Sequence, residues 1–487
     1  MGIGTTPRKF DIVGSKWVLK VKRDANGNIN RHKARLVAQG YSQTQGVDYE
    51  EVFSPVARYS SIRTLLALAN SQNLEIHQMD VKTAFLNGTI EHNIYMCQPE
   101  GFIDPEHPEY VCKLKKSIYG LKQSARCWNQ TLDSFLIRNG YRKSGADNCI
   151  YVKSKTNADG SISFVILAIY VDDIIPVSND VDMLNKEKAS LCKEFEMVDL
   201  GEIHFVLGMS IKRDRANKEL FINQEKYLES VLNRFGMEDC KAMSTPIQPR
   251  VTFHKRSTNE ESYDKHVYQQ AIGCLTYVST ATRPDIAAAV SILSTYMSDP
   301  SKEHWTGIKR LLRYIKGTLN FGLKFRAYGN EELYGYSDAS WAGDVDTRRS
   351  TSGYVFKVAN STISWSSKKQ ATVAKSTTEA EYVALSQATQ EAIWMRQLLS
   401  DLGLKVGKPT LLYEDNQGAI EIAKNQKFHN RTKHIDITFH FIRERISSNE
   451  IKVLYCESEN MLADIMTKGL SKIRFEKLRN MLGVCSC

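Results

Sequence analysis

Two adjacent carboxylates separate two apolar runs in the first half of the chain. Eight apolar or aromatic residues at 164–171 lead into Asp172 and Asp173, and a second apolar run occupies residues 174–177. Burying an unpaired charge is costly. We therefore expect the pair in a tight β-turn between buried strands, where both carboxylates can face a cation. An ordinary turn is the competing interpretation, because Asp is common in turns.

Further acidic residues follow predicted strands or begin helices. Asp80 ends a short apolar strand, and the second half of the chain contains Asp338, Glu381, Asp415 and Asp464. Phosphoryl transfer needs in-line positioning and neutralised charge more than covalent help from the protein. Two divalent cations about 3.5–4 Å apart can neutralise that charge, and Mg²⁺ prefers a few carboxylates together with water and phosphate. The two acidic sets therefore predict two centres for phosphoryl-transfer chemistry.

The N-terminal region is strongly basic and has the pattern of a hairpin. The first 40 residues contain nine Lys and Arg but only two Asp, in a chain with a net charge of +10. Residues 16–22 alternate as a strand, and Asn26-Gly27 separates them from a second extended run at 34–38, which predicts a β-hairpin. This hairpin carries Lys20, Lys22, Arg31, Lys33 and Arg35. It indicates a polyanionic partner, nucleic acid first; a solvated basic surface is the alternative.

The remaining elements place these residues in two regions. In the first region we predict helices at 60–70 (capped by Ser60), 117–136, 182–195 and 224–235, and a strand at 204–211 broken by Gly208. A loop at 245–263 leads to connecting helices at 268–297 and 303–316. From residue 332 the order of predicted elements is three strands, helix, strand, two helices, strand and short helix. That order describes a compact α/β domain.

Composition limits the class of protein. With 487 residues, 42% of them hydrophobic and 25% charged, the chain should form more than one globular domain. No apolar run approaches the ~18 residues of a membrane span, and the N-terminus lacks the apolar core of a signal peptide. Ten scattered cysteines without a C-x-x-C pair favour reduced, intracellular thiols over a disulfide framework or a zinc site.

In combination, the motifs of this chain resemble reverse transcriptases, and more narrowly the Pol polyprotein of copia-type LTR retrotransposons. The resemblance extends from about Lys9 to Leu470. The matching stretches are KWVLKVKRDANGNINRHKARLVAQG, FSPVARYSSIRTLLALA, QMDVKTAFLNG, YGLKQSARCW, YVDD, FVLGMSI, RPDIAAAVSILS, YSDASWAGD, STTEAEYVAL, EDNQGAI, TKHIDITFHFIRE and NMLADIMTKGL. The usual upstream protease and integrase segments are not part of this sequence.

The resemblance implies an RNA- and DNA-templated DNA polymerase with a ribonuclease H domain. The implied fold is α+β: a right-hand polymerase with fingers, palm and thumb at 1–244, a helical connection at 245–330, and a ribonuclease H-like α/β domain at 331–487. Implied partners are an RNA template, a DNA primer strand, RNA–DNA hybrid, dNTPs and a tRNA-derived primer, without a membrane. The implied location is a cytoplasmic particle or the nucleus.

The resemblance also assigns metal-binding roles. Asp80, Asp172 and Asp173 would bind two polymerase metals, with Asp173 the more dispensable ligand. Asp338, Glu381, Asp415 and Asp464 match the four ribonuclease H carboxylates. We prefer Glu381 to its neighbour Glu379 because Glu381 directly precedes the apolar YVAL turn. The implied cofactor is Mg²⁺, with Mn²⁺ as a substitute, and two ions per active site.

Contacts to the nucleotide and the primer are implied in the same way. Lys33 and Arg35 would bind the triphosphate, because the charges of Lys and Arg suit phosphate. Phe85 would exclude a 2′-hydroxyl on the incoming nucleotide. The alternative for Phe85 is a role as a core aromatic. Tyr119, Gly120 and Lys122 would lie beside the template base and nucleotide. Leu207 and Gly208 resemble a primer-gripping turn.

Alternatives remain open for Pro176, for the histidines and for the function. Pro176 lies just after the Asp pair, where it either ends the second strand early or indicates a drifting element copy. The stretch YCESENMLAD, which ends at Asp464, contains no His, and we interpret His434 and His440 as structural. Two other hypotheses compete with an active enzyme. One is a decayed copy that binds nucleic acid without catalysis. The other is a transposase-like nuclease, in which Asp172, Asp173 and the basic hairpin would have no role.

Overall fold

The computed structural model describes residues 1–4, 12–23, 28–327, 331–424 and 436–486. It divides the chain into two compact units, one made of residues 1–57 and 77–201 and the other of residues 58–76 and 202–487. Helices and strands are mixed in the chain, as predicted for an α+β protein. None of the described helices is both long enough and apolar enough to cross a membrane.

A six-stranded sheet lies almost entirely within the first unit. Its strands, in spatial order, are Met197–Glu202, Glu75–Val81, Asp173–Ser178, Ile162–Tyr170, Ile150–Thr156 and Arg142–Lys143. The two strands with the most continuous apolar sequence, Ile162–Tyr170 and Asp173–Ser178, lie in its interior, where side chains on both faces are buried. This central position brings the predicted Asp turn next to the strand that carries Asp80.

The Asp turn is a two-residue hairpin turn formed by Val171 and Asp172. Tyr170 pairs with Asp173, which is therefore the first residue of the returning strand and not part of the turn. Val171 has a φ of +60°, an unfavourable conformation for a β-branched residue. The Trp128 indole N–H donates to its carbonyl at 2.7 Å. A hydrogen bond from outside the hairpin therefore supports the strained residue at its tip.

Pro176 does not end the returning strand. The strand continues through Ser178, and Pro176 lies opposite Leu167 in the register with Ile162–Tyr170. The proline is buried in an interior strand, an unusual place for a residue without an N–H donor. The predicted early end of the strand is therefore wrong.

The basic hairpin is confirmed as an antiparallel pair of strands, Ser15–Arg23 and Ile29–Ala38. Its register places Lys20 opposite Lys33 and Val18 opposite Arg35. Because side chains alternate between the faces of a strand, Lys20, Lys33 and Arg35 share one face. The predicted Asn26-Gly27 turn lies outside the described residues, as does His434.

The other elements of the first unit surround these sheets. A four-stranded sheet has the order Gly2–Gly4, Val111–Lys113, Tyr95–Cys97 and Ile12–Val13. The helices are Gly40–Ser42, Ala84–Asn87, Ser124–Arg138 and Val181–Glu194. The third of them begins at Ser124 and not at 117 as predicted, because Gly120 has a φ of +94° that a helix cannot include. Residues 119–123 therefore form a loop.

The second unit contains two five-stranded sheets. One has the order Phe205–Val206, Met209–Asp214, Glu219–Asn223, Phe321–Arg326 and Val484–Ser486, all antiparallel. The other has the order Ser361–Lys369, Thr351–Val358, Tyr334–Ser340, Thr410–Glu414 and Ile451–Tyr455. In this second sheet the first three strands are antiparallel, and the last two join in parallel.

Helices cover these sheets and connect them. Their bounds are Tyr59–Ser71, Glu225–Arg234, Lys265–Ala281, Pro284–Ile286, Ala287–Ser294, Lys302–Lys316, Thr377–Asp401, Gln417–Lys424, Asp436–Ser447, Ser458–Asn460, Leu462–Met466 and Lys472–Met481. The first helix begins at Tyr59 after Arg58, without a side-chain cap, so the predicted Ser60 cap is wrong. Ser60 lies inside the helix, where its backbone carbonyl accepts a hydrogen bond from Thr64.

A buried ion pair anchors the helical part of the second unit. Arg283 and Asp285 are both fully buried and form a two-pronged pair at 2.8 and 2.9 Å. The Tyr314 hydroxyl donates to the same carboxylate at 2.6 Å, and Arg283 donates to the Thr318 carbonyl at 2.9 Å. The pair therefore ties the short Pro284–Ile286 helix to the Lys302–Lys316 helix.

Replacing Asp285 by Ala should lower the free energy of unfolding of the chain by about 3–5 kcal/mol, because it leaves a buried guanidinium uncompensated. Urea unfolding followed by circular dichroism measures this cost. Asp299→Ala is the matched control: Asp299 pairs with Arg256 at 3.0 Å but is largely exposed, so its loss should cost less than about 1 kcal/mol. Equal costs for the two variants would contradict the anchoring role.

Candidate active sites

Three carboxylates of the first unit lie at the ends of adjacent central strands. Asp80 is near the end of Glu75–Val81, Asp172 is in the hairpin turn, and Asp173 opens the returning strand. The Val81 N–H donates to the Asp172 carbonyl at 2.9 Å, which ties the two strand ends together. Gln78 donates to Asp173 Oδ1 at 3.1 Å. The structure thus brings together the three residues that the sequence predicted for one site.

The electrostatics of this site favour a bound cation. Burial raises the pKa of Asp80, and the neighbouring Asp172 raises it further, against the opposing effect of Lys33 and Arg31. Burial also raises the pKa of Asp173; the Gln78 hydrogen bond opposes this, and the charges of Asp172 and Asp80 add to it. These carboxylates therefore repel one another, and a cation between them would relieve the repulsion.

Three of the predicted nucleotide residues, Arg35, Phe85 and Tyr119, form one cluster beside these carboxylates. The Phe85 and Tyr119 rings lie 5.0 Å apart, and the Arg35 guanidinium lies over the Tyr119 ring at 5.3 Å. Lys33 contributes to the electrostatics of Asp80. Gly120 and Lys122 continue the same loop and are exposed. Phe85 is partly exposed, so its ring is not a fully buried core aromatic.

Leu207 and Gly208 form the tip of a hairpin in the second unit. Phe205–Val206 pairs with Met209–Asp214, and both tip residues have positive φ values, +50° and +75°. The Tyr277 hydroxyl donates to the Leu207 carbonyl at 2.5 Å. The φ of +75° at Gly208 favours glycine, and a Cβ there would lie 2.1 Å from the Tyr277 hydroxyl, which would have to move. The predicted hairpin turn is confirmed, whereas primer contact stays a prediction.

Three carboxylates of the second unit converge near the ends of two adjacent strands of its mixed sheet. Asp338 lies on Tyr334–Ser340, Asp415 follows the adjacent parallel strand Thr410–Glu414, and Glu381 is in the second turn of the helix Thr377–Asp401. One carboxylate oxygen from each lies within 4.8 Å of the other two. Among the described residues no other trio meets this closely, so the carboxylate oxygens of Asp80, Asp172 and Asp173 do not all lie within 4.8 Å of one another.

Asp464 lies next to this trio but is held by cations. It is buried; Lys468 approaches its Oδ1 at 2.6 Å, and Arg474 pairs with its Oδ2. Lys468 also reaches Asp338 Oδ1 at 3.6 Å, and the Thr467 hydroxyl donates to Asp338 Oδ2. The structure therefore places all four predicted carboxylates in one region, with the fourth neutralised by side chains of the chain itself.

Charge repulsion in this cluster is strong. Burial raises the pKa of Glu381, and the charges of Asp338, Glu414 and Asp415 raise it further. Burial also raises the pKa of Asp338; Lys468 opposes this effect, and Asp464 adds to it. Glu381 Oε2 is buried without a hydrogen-bond partner. Converging carboxylates with an unpartnered buried oxygen are the kind of donor set that a hard divalent cation requires, so these residues fit such an ion.

Sequence reasoning did not identify Glu414 as part of this cluster. It is completely buried, and burial together with Asp338 and Asp415 raises its pKa well above the ordinary value. Thr410, Leu412 and Glu414 alternate as the buried face of their strand, a pattern that could have revealed an acid in the core. Glu379, the competitor of Glu381, is partly exposed and accepts from the Lys375 N–H at 2.9 Å at the start of its helix. Because Glu379 is engaged at the start of the helix, Glu381 is favoured as the residue that belongs to the cluster.

Comparison with known proteins identifies the family of this chain. A family profile described as "Reverse transcriptase (RNA-dependent DNA polymerase)" matches residues 3–249. The retrovirus-related Pol polyprotein from transposon TNT 1-94 of Nicotiana tabacum is 44% identical over 97% of this chain and 35% of its own length. The corresponding polyprotein from transposon RE1 of Arabidopsis thaliana is 40% identical over 98% of this chain and 32% of its own length. The chain thus spans about a third of these relatives.

A shorter relative is covered completely. The putative transposon Ty5-1 protein YCL074W of Saccharomyces cerevisiae is 32% identical over 64% of this chain and 100% of its own length. Among solved structures, a foamy viral protease–reverse transcriptase in complex with double-stranded DNA aligns at 13% identity with a TM-score of 0.20, too low to support an argument. From the family profile and these relatives, the chain belongs to the reverse transcriptases (RNA-dependent DNA polymerases) of copia-type transposon Pol polyproteins.

Proposed function

We propose that this chain is an RNA- and DNA-templated DNA polymerase that copies retrotransposon RNA into DNA, and that it also cleaves the RNA strand of RNA–DNA hybrids. In this proposal residues 1–244 form fingers, palm and thumb, residues 245–330 the connection, and residues 331–487 the ribonuclease H domain. The observation that carries the proposal is the presence of two separate carboxylate clusters, one in each unit.

The first cluster would carry out nucleotidyl transfer. Asp80 and Asp172, with Asp173 beside them, would hold two divalent ions, which when bound supply charge neutralisation for the attacking and leaving oxygens. Lys33 and Arg35 would bind the triphosphate from the face of the basic hairpin that they share. The Tyr119 and Phe85 rings would form the wall against the sugar. The chain's own contribution is thus to orient the nucleotide and to hold charge in place.

The second cluster would cleave RNA. Asp338, Glu381 and Asp415 have the spacing and the unpartnered oxygen that suit a divalent ion. When the strands of their sheet are numbered in chain order, the spatial order is 3-2-1-4-5. Asp338 lies on the central strand, and Asp415 directly follows the neighbouring strand. This arrangement resembles the ribonuclease H-like fold. The RNA strand would be distinguished by its 2′-hydroxyls and by the shape of the minor groove.

Primer extension and hybrid cleavage, assayed on the same preparation, test the proposal. The chain should extend a DNA primer on both RNA and DNA templates in Mg²⁺, and it should shorten the RNA strand of a labelled hybrid. A protein that binds primer–template but incorporates nothing in Mg²⁺ or Mn²⁺ would instead be a decayed copy. Extension without hybrid cleavage would contradict only the ribonuclease H part.

Replacing Phe85 by Val should relax selection of the sugar. Removing the ring opens space for a 2′-hydroxyl, so the preference for dNTP over rNTP, measured as the ratio of kcat/KM values, should fall by about 100-fold, or about 2.7 kcal/mol. Phe85→Tyr retains the ring and should retain the preference. If Phe85→Val reduced incorporation of both nucleotides equally, the ring would only pack against Tyr119.

A further inference from the structure

We propose that Gln43 is a positioning residue for the incoming nucleotide. It would act by fixing the loop of residues 119–123, which we call the nucleotide loop, against the end of the basic hairpin. The inference rests on the proposed polymerase function and deepens it, because Gln43 belongs to none of the motifs that assign nucleotide contacts. It stands on a connected set of buried hydrogen bonds within the first unit.

The Gln43 amide has both of its polar ends engaged by the nucleotide loop. Its Oε1 accepts from the Lys122 backbone N–H at 2.8 Å, and its Nε2 donates to Gln123 Oε1 at 3.2 Å. Gln123 in turn donates to the Asp48 carbonyl at 3.1 Å. As whole residues, Gln43, Gln123 and Asp48 are all at least 93% buried. Loss of one partner would therefore leave buried polar groups unsatisfied, which is costly.

Asp48 closes the segment that carries Gln43. Its Oδ2 accepts from the Thr44 N–H at 2.8 Å, and the Asp48 N–H donates to the Thr44 carbonyl at 3.0 Å. Residues 44–48 are thereby folded into a compact turn. Gln43, directly before this turn, is held in place by the backbone rather than by its side chain alone.

The backbones of the two segments are in direct contact. The Ala38 N–H donates to the Tyr119 carbonyl at 2.8 Å. A Cβ at Gly120 would lie 2.0 Å from the Ala38 oxygen, and a Cβ at Gly40 would lie 2.1 Å from the Gly120 oxygen. Only glycine allows so close an approach. The loop therefore has no room to shift toward the hairpin, and Gln43 prevents it from moving away.

This contact joins the groups proposed to bind the triphosphate to those proposed to line the sugar. Arg35 lies on the strand that ends at Ala38, and its guanidinium lies over the Tyr119 ring. The Tyr119 ring in turn contacts Phe85. Displacement of the nucleotide loop would thus misplace several nucleotide contacts together. The hydrogen bonds described for Gln43 do not involve Asp80, Asp172 or Asp173, so binding should suffer more than chemistry.

The test is steady-state primer extension by the full chain carrying Gln43→Leu, which removes both hydrogen bonds. We expect KM for dNTP to rise by about 10-fold and kcat to stay within about threefold, with hybrid cleavage unchanged. Gln45→Leu is the matched control: Gln45 is exposed, and its side chain donates to the Glu50 carbonyl at 3.0 Å, outside the nucleotide loop.

The outcomes separate this inference from the proposed function. A KM for Gln43→Leu equal to that for Gln45→Leu would overturn it. So would a parallel loss of kcat, hybrid cleavage and melting temperature, which indicates a general folding role. A wild-type chain that incorporates nothing contradicts the polymerase function. The positioning role is then judged by equilibrium binding of dNTP to the protein–primer–template complex, which Gln43→Leu must weaken and Gln45→Leu must not.

Discussion

Asp80→Asn should reduce primer extension by at least about 10³-fold and leave cleavage of an RNA–DNA hybrid within twofold of wild type. The substitution preserves the size of the side chain but removes a carboxylate from a site where three of them interact. Loss of a metal ligand removes several kcal/mol of charge stabilisation from the transition state, and about 4 kcal/mol corresponds to a 10³-fold decrease in rate. Extension of a labelled primer on RNA and DNA templates, beside cleavage of a labelled hybrid, measures both effects.

The reciprocal variant is Asp415→Asn. Asp415 contributes one oxygen to the trio of the second unit and accepts from the Ser458 hydroxyl at 2.7 Å. It should abolish hybrid cleavage and spare extension. Asp173→Asn provides a graded comparison in the first site and should lose less extension activity than Asp80→Asn. If Asp80→Asn and Asp415→Asn each abolished both activities, a two-site protein would be wrong.

Glu381→Gln should abolish hybrid cleavage while making the metal-free protein more stable at pH 8. The pKa of Glu381 is raised in the folded chain by burial and by its acidic neighbours. A carboxyl with a raised pKa costs stability once the pH exceeds its unfolded value of about 4.3. The metal-free wild type should thus lose stability as the pH rises above that value. Gln has the shape of the neutral acid and cannot ionise, so the variant should gain about 2 kcal/mol at pH 8.

Mg²⁺ should reverse this order of stability. We expect the wild type to bind the ion and to be stabilised in proportion to the logarithm of its concentration, whereas Glu381→Gln lacks one of the proposed ligands and should respond weakly. Melting temperatures at pH 5 and pH 8, each with EDTA or with Mg²⁺, reveal the crossing. Glu379→Gln is the control at the partly exposed start of the same helix and should retain both cleavage and the response to Mg²⁺. Identical melting behaviour of wild type and Glu381→Gln would contradict the metal-site assignment.

Local patterns predicted much of the secondary structure. The basic hairpin, the strand before Asp80, the Asp turn and the strand–helix order after residue 332 were all visible in the sequence, because period-2 alternation and apolar runs are local properties. The errors arose where local sequence patterns conflicted with contacts to distant parts of the chain, and those contacts determined the structure. The helix expected from 117 begins only at Ser124 because Gly120 is packed against Ala38. Pro176 is tolerated in an interior strand although its ring removes a donor.

Pairings between distant segments could not be read from the sequence. Phe321–Arg326 and Val484–Ser486 were not predicted as strands, yet they pair with each other and extend the sheet of the Leu207–Gly208 hairpin. The helix Tyr59–Ser71 belongs to the second unit although the segments on both sides of it belong to the first. Short strands become stable only through partners far along the chain, so their own residues carry little signal.

The sequence by itself determined which residue types could do chemistry and in what order: Asp80, the Asp172–Asp173 pair, and later Asp338, Glu381, Asp415 and Asp464. The tertiary structure alone decided which of these carboxylates lie together and which one is paired with cations. Asp338, Glu381 and Asp415 meet within 4.8 Å, while Asp464 is held by Lys468 and Arg474. It also revealed the buried Glu414 and the Gln43 contacts. Burial and pairing depend on what the folded chain brings close, and they determine the charge that each carboxyl can bear.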